Sequence, residues 1–174
     1  MSDKFDLNKL VLVGETAEAS LRRTSEILRD QGLNPNVTIE FISKEQGVFS
    51  GYGEISQIIS RFLPKAFRDE VLCLNDGDIF AKGEVILRVS CTFAVIANYI
   101  TAINGIISSS SGWATAAKEC VDSAEGIPIV NFGASHVHPN VVGIMDYSSI
   151  QGGAKGCSSI LGASLSDLTP VGSM

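Results

Sequence analysis

Apolar positions in the first third of the chain recur at two spacings, which predict helices and strands in turn. Residues 9–13 form a short apolar run that predicts a strand. Thr16 is a candidate N-cap for a helix that continues to Gly32. Strict alternation over Asn36–Ile42 predicts a half-buried strand, and an apolar stripe over residues 54–63 predicts a second helix. The alternation means that one face of this sheet is covered.

Three short apolar runs separated by turns follow, and they predict a β-meander. The runs are residues 70–74, 79–81 and 84–90, and the turns lie at residues 75–78 and at Gly83. Small barrels that carry biotin or lipoate are an alternative with a similar pattern. Such barrels need a lysine on a tight exposed turn between matched halves. Lys82 beside Gly83 lacks that setting, which disfavours a carrier domain.

From Thr92 onwards the apolar period becomes helical and predicts a helix that is buried on nearly all sides. Four serines and a glycine at residues 108–112 predict a break, after which residues 113–124 continue as a more polar helix. No charged residue occurs between Arg88 and Lys118, so a membrane span is an alternative. The buried helix is favoured because the polar side chains in this window would lack partners in lipid.

The last third alternates strand and helix, which predicts a parallel sheet with right-handed crossovers. A strand at residues 127–132 precedes Pro139, which is the first residue of a helix over residues 140–150. Three further elements end the pattern: a strand at residues 157–158, a helix over residues 159–167 and a strand beginning at Pro170. Three parallel strands are too few to close a barrel.

Composition narrows the class of protein. The chain has 174 residues, 45% of them hydrophobic, which is ample for a core. Its net charge of −6 argues against nucleic acid or an anionic membrane surface as the partner and favours a small molecule or a protein. The four cysteines are scattered without the spacing of a zinc site or a disulfide framework. The amino-terminal residues do not resemble a signal peptide, so we expect a cytoplasmic protein.

Both histidines of the chain lie in one short segment between a predicted strand and a predicted helix. His136 and His138 are two residues apart, so on an extended chain both side chains project to the same face. At a strand end they are candidates for an acid, a base or a phosphate contact. The alternative is a structural role in which both side chains bond to backbone groups near the helix entry. Two histidines alone do not make a metal site.

Two further segments are candidates for anion binding. The serine-rich residues 108–112 could present backbone N–H groups at the start of the following helix, or could form an ordinary helix–helix turn. The glycine-rich residues 152–156 have the same two interpretations, with Lys155 either pairing with a phosphate or lying in solvent.

The order and spacing of four short motifs resemble the nicotinate phosphoribosyltransferase family. They are Ser111-Gly112 with Thr115, Phe132-Gly133 with His138-Pro139, Gly152-Gly153 with Gly156 and Ser158, and the terminal Pro170-Val171-Gly172-Ser173-Met174. The resemblance implies an α/β fold in which an N-terminal α/β sandwich, residues 1–112, precedes the start of a TIM-like α/β barrel, residues 113–174. It also implies transfer of phosphoribosyl from phosphoribosyl diphosphate to nicotinate in NAD biosynthesis, with Mg²⁺ and often ATP.

The resemblance assigns catalytic roles to His138 and Arg23 and substrate contacts to five further residues: Thr24, Ser111, Thr115, His136 and Ser158. The chain departs from the family pattern at Ser20, Ile100, Ala116, Ser135 and His136, where charged or aromatic residues are expected. These departures leave open a non-catalytic binding or regulatory homologue, or an altered, quinolinate-type substrate. Because the chain ends at Met174, we also expect a homodimer or a second chain that completes the barrel.

Overall fold

The computed structural model describes residues 4–68 and 70–172. The chain divides into two compact units. Unit 1 consists of Met1–Lys44, Tyr52–Leu74 and Gly83–Ile106, and unit 2 consists of Glu45–Gly51, Asn75–Lys82 and Ile107–Met174. The domain boundary between residues 112 and 113 stays a prediction, and both of these residues lie within one helix.

The elements in chain order are α1 (Lys9–Leu12), α2 (Ala19–Asp30), β1 (Asn36–Ile42), β2 (Gly47–Val48), α3 (Tyr52–Phe62), α4 (Lys65–Arg68), β3 (Leu72–Cys73), β4 (Ile79–Phe80), β5 (Val85–Thr92), α5 (Phe93–Ile96), α6 (Ile100–Ser123), β6 (Val130–Asn131), α7 (Val142–Gln151), β7 (Gly156–Cys157) and α8 (Ile160–Leu165). Two 3₁₀ helices, Gly133–His136 and Pro139–Val141, lie between β6 and α7.

The first elements of unit 1 differ in part from the prediction. Residues 9–12 form a helix and not a strand, because the Asn8 side chain accepts a hydrogen bond from the Leu10 N–H at 2.9 Å and caps the helix start. The prediction of Thr16 as an N-cap is wrong, since α2 begins at Ala19 with Glu18 as its N-cap. The helix itself is confirmed, and so is the helix predicted over residues 54–63.

An antiparallel sheet in the order β1-β5-β3 forms the centre of unit 1. The strand predicted over Asn36–Ile42 is confirmed, and its alternate residues turn inward. The most buried side chains of the unit come from β5, α3 and the first turns of α6: Leu87, Val89, Ile55, Ile58 and Ile103. These residues are the apolar core that the helical and alternating patterns predict.

The predicted β-meander is wrong. β3 pairs with β5, whereas β4 pairs with β2 in unit 2, where Gly47 lies opposite Phe80. The turn between β3 and β4 therefore leads from one sheet into another. Sequence neighbours pair often, but the choice of partner depends on packing that a local pattern does not contain.

The break predicted at residues 108–112 is also wrong, because α6 runs through this segment without interruption. Ser110 and Ser111 are buried, with exposed fractions of 1% and 5%. No helix starts here, so the backbone N–H groups of the segment are inside a helix and do not form an anion site. Burial of one helix face outweighs the weak preference of serine for turns.

Unit 2 contains the parallel pair predicted from the alternation of strand and helix. β6 pairs in parallel with β7, and α7 crosses between them. β6 is shorter and less buried than predicted, and Ile127 is 70% exposed. The helices predicted over residues 140–150 and 159–167 are present as α7 and α8, but Pro139 opens a 3₁₀ helix that precedes α7, and Ser159 is the N-cap of α8. Residues 170–172 are not a strand, and residues 173–174 lie outside the described part of the chain.

No helix within residues 4–68 and 70–172 has both the length and the apolar character needed to span a membrane.

Candidate functional site

The carboxyl ends of β6 and β7 lie side by side in unit 2. The Lys155 N–H donates to the Ile129 carbonyl at 2.8 Å, and the Ser158 N–H donates to the Asn131 carbonyl at 3.0 Å. These bonds place the residues that follow each strand at the same edge of the sheet. In open parallel sheets, ligands bind at this edge because the loops there converge.

His138 lies in the loop after β6 and acts as a cap. Its backbone is extended, and its Nδ1 accepts a hydrogen bond at 3.2 Å from the N–H of Asn140, in the 3₁₀ helix Pro139–Val141. With Nδ1 as an acceptor, the neutral ring carries its proton on Nε2. The exposed ring therefore offers a donor, suited to a phosphate or carboxylate oxygen. The capping contact is the structural role that the sequence left open.

His136 closes the 3₁₀ helix Gly133–His136, and its Nδ1 lies 3.4 Å from the Ser135 hydroxyl. The prediction that both histidines project to one face of an extended segment is wrong, because His136 has helical geometry while His138 is extended. Both side chains are nevertheless exposed in the same loop. Together with Ser158, which follows β7, they are the predicted site residues that lie beyond the paired strand ends.

Ser111 and Thr115 lie elsewhere in unit 2, on the face of α6 that contacts β2. The Ser111 hydroxyl accepts from the Ser50 N–H at 3.2 Å, and the Thr115 hydroxyl accepts from the Val48 N–H at 3.0 Å. A Cβ atom on Gly47 would lie 2.5 Å from the Thr115 hydroxyl oxygen, so only glycine allows this approach. The observed partners of both predicted substrate contacts are thus backbone groups of the chain.

Arg23 and Thr24 belong to unit 1, where both are exposed on α2. The Thr24 hydroxyl donates to the Ser20 carbonyl one turn earlier at 2.9 Å, a common arrangement for threonine within a helix. The exposed guanidinium group of Arg23 is accessible to a solvent-borne anion. The roles of both residues stay predictions.

A buried carboxyl group, which is not among the site residues predicted from the sequence, joins the two strand ends. Asp146 on α7 is 0% exposed. Its Oδ1 accepts from the Asn131 amide at 2.9 Å. Its Oδ2 accepts from the Ser159 hydroxyl at 2.5 Å and from the Ser159 N–H at 3.3 Å. Asn131 is the last residue of β6, and Ser159 follows β7 by two residues.

One sequence signal points to Asp146. It is the only Asp, Glu, Lys or Arg between Glu125 and Lys155, and it lies in an otherwise uncharged helix. A single charge in such a segment is buried only when several donors surround it. Asn131 and Ser159 supply those donors, but nothing in the local sequence reveals that they meet.

Two ionisable groups in unit 2 are shifted by their surroundings. Burial raises the pKa of the Cys157 thiol to about 11, and the negative charge and hydrogen bond of Asp146 add to the effect. Burial also raises the pKa of Tyr147 far above its usual range, with a further contribution from Asp76. The Tyr147 hydroxyl donates to Asp76 at 2.8 Å, and the Gly51 N–H donates to the same carboxyl group at 2.7 Å. Neither group is a nucleophile at neutral pH.

The residues at the strand ends do not fit a protein-only Mg²⁺ site. Mg²⁺ prefers several oxygen ligands in octahedral geometry, whereas this edge presents two imidazoles and a hydroxyl. Both oxygens of Asp146 are turned towards Asn131 and Ser159. Within the described residues, no three His, Cys, Asp or Glu side chains form a group that could hold a metal ion.

Comparison with known proteins gives a family and several related folds. Residues 21–111 match the family model of the quinolinate phosphoribosyl transferase N-terminal domain. The chain is similar to the nicotinate-nucleotide pyrophosphorylase of Pyrococcus furiosus, with a TM-score of 0.88 and 27% identity over 98% of this chain and 44% of that one. The chain thus spans less than half the length of that protein.

Two further structures share the fold at lower identity. Human nicotinic acid phosphoribosyltransferase aligns with a TM-score of 0.75 and 17% identity over 90% of this chain and 38% of that one. The nicotinate-nucleotide pyrophosphorylase of Francisella tularensis aligns with a TM-score of 0.61 and 15% identity over 81% of this chain and 53% of that one. The predicted fold class, an α/β N-terminal domain followed by the first βα units of a barrel, is confirmed.

Proposed function

Because this chain belongs to the quinolinate phosphoribosyltransferase family, we propose that it serves phosphoribosyl transfer from phosphoribosyl diphosphate to a pyridine carboxylate in NAD biosynthesis. The observation that carries the proposal is the similarity to the Pyrococcus furiosus nicotinate-nucleotide pyrophosphorylase over 98% of the chain. That protein is named for a nicotinate nucleotide and for pyrophosphate, which are the two products of such a transfer.

The paired strand ends of β6 and β7 support a role in binding the phosphoribosyl group. In this reaction, the bond between the ribosyl carbon and the diphosphate breaks, and positive charge develops on the sugar as negative charge develops on the leaving group. Hydrogen-bond donors held at fixed positions stabilise that charge. At these strand ends, the Nε2 proton of His138 and the hydroxyl of Ser158 are the proposed donors, with His136, Ser111 and Thr115 as further predicted contacts in unit 2. Arg23 and Thr24, in unit 1, stay predicted contacts of the phosphoribosyl group.

We propose nicotinate as the pyridine substrate. Quinolinate carries two carboxylates and needs more cationic partners than nicotinate, which carries one. After Lys118 the chain contains a single Lys or Arg, Lys155. Quinolinate is the second candidate, because the matching family model is that of a quinolinate phosphoribosyl transferase.

The proposed active form includes a partner. Following the resemblance of the sequence to the nicotinate phosphoribosyltransferase family, we propose a homodimer, or an assembly with a second chain that supplies further βα units, as the active form. The resemblance of the sequence implies Mg²⁺, which would neutralise charge on the diphosphate of the substrate, and ATP is an additional reactant to be tested. We expect the reaction to take place in the cytoplasm.

The test is product formation by the purified protein. Phosphoribosyl diphosphate and Mg²⁺ are supplied with nicotinate, with and without ATP, or with quinolinate, and nicotinate mononucleotide is measured by chromatography. Product from nicotinate supports the proposal, whereas product from quinolinate, with release of CO₂, moves the assignment to the second candidate. Binding of phosphoribosyl diphosphate without product, measured by calorimetry, favours the non-catalytic homologue. Absence of both product and binding overturns the proposal.

Two neighbouring arginines provide a matched pair for the predicted phosphoribosyl contact. Arg23→Ala should weaken binding of phosphoribosyl diphosphate about tenfold or more, because a hydrogen bond to a charged group is lost. Arg22→Ala removes an exposed charge from the same helix, where Arg22 lies 3.9 Å from Glu15, and should leave binding nearly unchanged. An equal loss in both variants would assign the effect to net charge and contradict a specific role for Arg23.

A further inference from the structure

We propose that Asp146 is a positioning residue that sets the loop carrying His136 and His138. The expected effect of Asp146 on catalysis rests on the proposed function, whereas its effect on the position of the histidine loop can be tested without any activity. It starts from a fully buried carboxyl group whose hydrogen bonds reach residues at the ends of both parallel strands. The loops of the candidate site leave from these same strand ends.

The first branch of the network leads into the histidine loop. Asp146 Oδ1 accepts from the Asn131 side-chain amide, whose NH₂ group also donates to the Ser149 hydroxyl at 3.0 Å. The carbonyl oxygen of the Asn131 side chain then accepts from the Gly133 N–H at 2.9 Å. Gly133 is the first residue of the 3₁₀ helix that ends at His136. A single side chain therefore links Asp146 to the start of the loop.

The second branch leads into α8. Asp146 Oδ2 accepts from Ser159, and the Ser159 hydroxyl oxygen accepts from the Gly162 N–H at 3.0 Å, which caps the helix. The backbone of α8 packs directly against Asp146 at Gly162, because a Cβ atom on Gly162 would lie 2.2 Å from the Asp146 Cβ. Helix α8 is thus held against Asp146 by close backbone approach, separately from the histidine loop.

The carboxyl group determines which way the Asn131 amide points. Both carboxyl oxygens of Asp146 accept hydrogen bonds, so the NH₂ group of Asn131 faces Asp146 and its carbonyl oxygen faces Gly133. An apolar residue could fill the same volume, often at no loss of stability, but the Asn131 amide would then be held only by its bonds to Ser149 and Gly133. Burial of Asp146 strengthens these bonds, because electrostatic interactions are less screened in the protein interior.

An exchange of side chains separates positioning from packing. In Asp146→Asn, the amide at position 146 can accept from Ser159, but its NH₂ group then faces the NH₂ group of Asn131. Asn131 must rotate, which breaks its bond to the Gly133 N–H. In the double variant Asn131→Asp/Asp146→Asn, the new carboxyl group accepts from the new amide and still accepts from Gly133. The double variant therefore restores the connection with the same atoms in exchanged positions.

NMR signals of the two histidine rings report directly on the loop after β6, because the chain has no other histidines. Their ring signals in a ¹H–¹³C NMR spectrum of the full chain report the loop without any need for activity. We expect Asp146→Asn to shift or broaden both signals, and the double variant to return them to their original positions. Ser159→Ala is the matched control, since it removes the hydroxyl group of the second branch and should lower the melting temperature while leaving the histidine signals in place.

The kinetic readout adds the link to function. If phosphoribosyl transfer is measurable, Asp146→Asn should lower kcat/KM by about tenfold or more, as expected when a binding loop is misplaced. The double variant should recover most of this loss. Unchanged histidine signals in folded Asp146→Asn would overturn the proposal, as would equal changes in Ser159→Ala. If Asp146→Asn does not fold, the double variant provides the test of the proposal. Histidine signals that are displaced in the double variant would also overturn the proposal.

Discussion

Two buried polar clusters in unit 2 differ in their charge. The hydroxyl cluster consists of Ser50, Ser111 and Ser148 and contains only neutral groups, and the Ser50 hydroxyl lies 3.1 Å from that of Ser148. The carboxyl cluster consists of Asn131, Asp146 and Ser159 and is built around an acidic side chain. The first cluster joins the segment that contains β2 to helices α6 and α7. The second joins the ends of β6 and β7.

The difference indicates what each cluster contributes. A neutral hydroxyl pair adds a modest amount of stability and can be replaced by apolar groups of similar shape. Removing a carboxyl group from water costs free energy, so the main contribution of a buried carboxyl group is to fix the orientation of the surrounding donors. The carboxyl cluster lies where the loops of the candidate site begin, and the hydroxyl cluster does not. Three experiments test this contrast.

The largest effect is expected from removal of the buried carboxyl group. Asp146→Ala takes away the acceptor of one Asn131 amide hydrogen and of the Ser159 hydroxyl and N–H, so the free energy of unfolding in urea should fall by about 3–5 kcal/mol. Asp122→Ala is the control, because Asp122 pairs with Lys118 on the exposed side of α6. That pair should contribute less than about 1 kcal/mol. If Asp146→Ala lowers the free energy of unfolding by less than about 1 kcal/mol, the carboxyl cluster does not stabilise the protein more than the hydroxyl cluster does.

A smaller effect concerns the thiol next to the carboxyl cluster. The pKa of Cys157 is about 11 in the folded protein, above its ordinary value of 9.0, so the unfolded chain releases this proton first as pH rises. Its contribution to stability is complete below pH 9.0 and is lost between there and pH 11. The loss amounts to about 2 kcal/mol at the upper end, at 1.36 kcal/mol for each pKa unit.

The variant Cys157→Ala lacks this contribution. Its free energy of unfolding should therefore fall less steeply than that of the unchanged protein over the same pH range, and other titrating groups cancel in the difference. Parallel curves for the two proteins would show that Asp146 and burial do not hold the proton on this thiol.

The smallest effect is expected in the hydroxyl cluster. Ser50→Ala or Ser148→Ala alone leaves one buried hydroxyl without its partner and should lower the free energy of unfolding by about 1–2 kcal/mol. The double variant should lose less than the sum of the two, because neither hydroxyl is then left unpaired. Strict additivity in this double-mutant cycle would mean that the two hydroxyls do not interact.

Local periodicity predicts the regular elements of this chain better than their partners. The strand Asn36–Ile42 follows from strict alternation, and the parallel pairing of β6 with β7 follows from the order of elements. The pairing of β4 with β2 depends on packing between segments far apart in the sequence. Burial likewise keeps α6 continuous through its serines, where local preference predicts a turn.

The candidate site was predictable in position and not in its internal connections. Histidines between a strand and a helix mark the edge of a parallel sheet, which the structure places at the ends of β6 and β7. The helical turn at His136 and the capping contact of His138 follow from neighbouring backbone groups, which the spacing of two residues does not reveal. Asp146 is visible in the sequence only as an isolated charge.

The most direct measurement of the central claim is an NMR titration of the two histidine ring signals with phosphoribosyl diphosphate and Mg²⁺. If the loop after β6 binds the phosphoribosyl group, the signal of His138 should shift saturably, and that of His136 should move with it. Inorganic sulfate at the same ionic strength should produce smaller shifts that do not saturate at the same concentrations. Histidine signals that stay unchanged while calorimetry detects binding would place the phosphoribosyl site elsewhere and contradict the account.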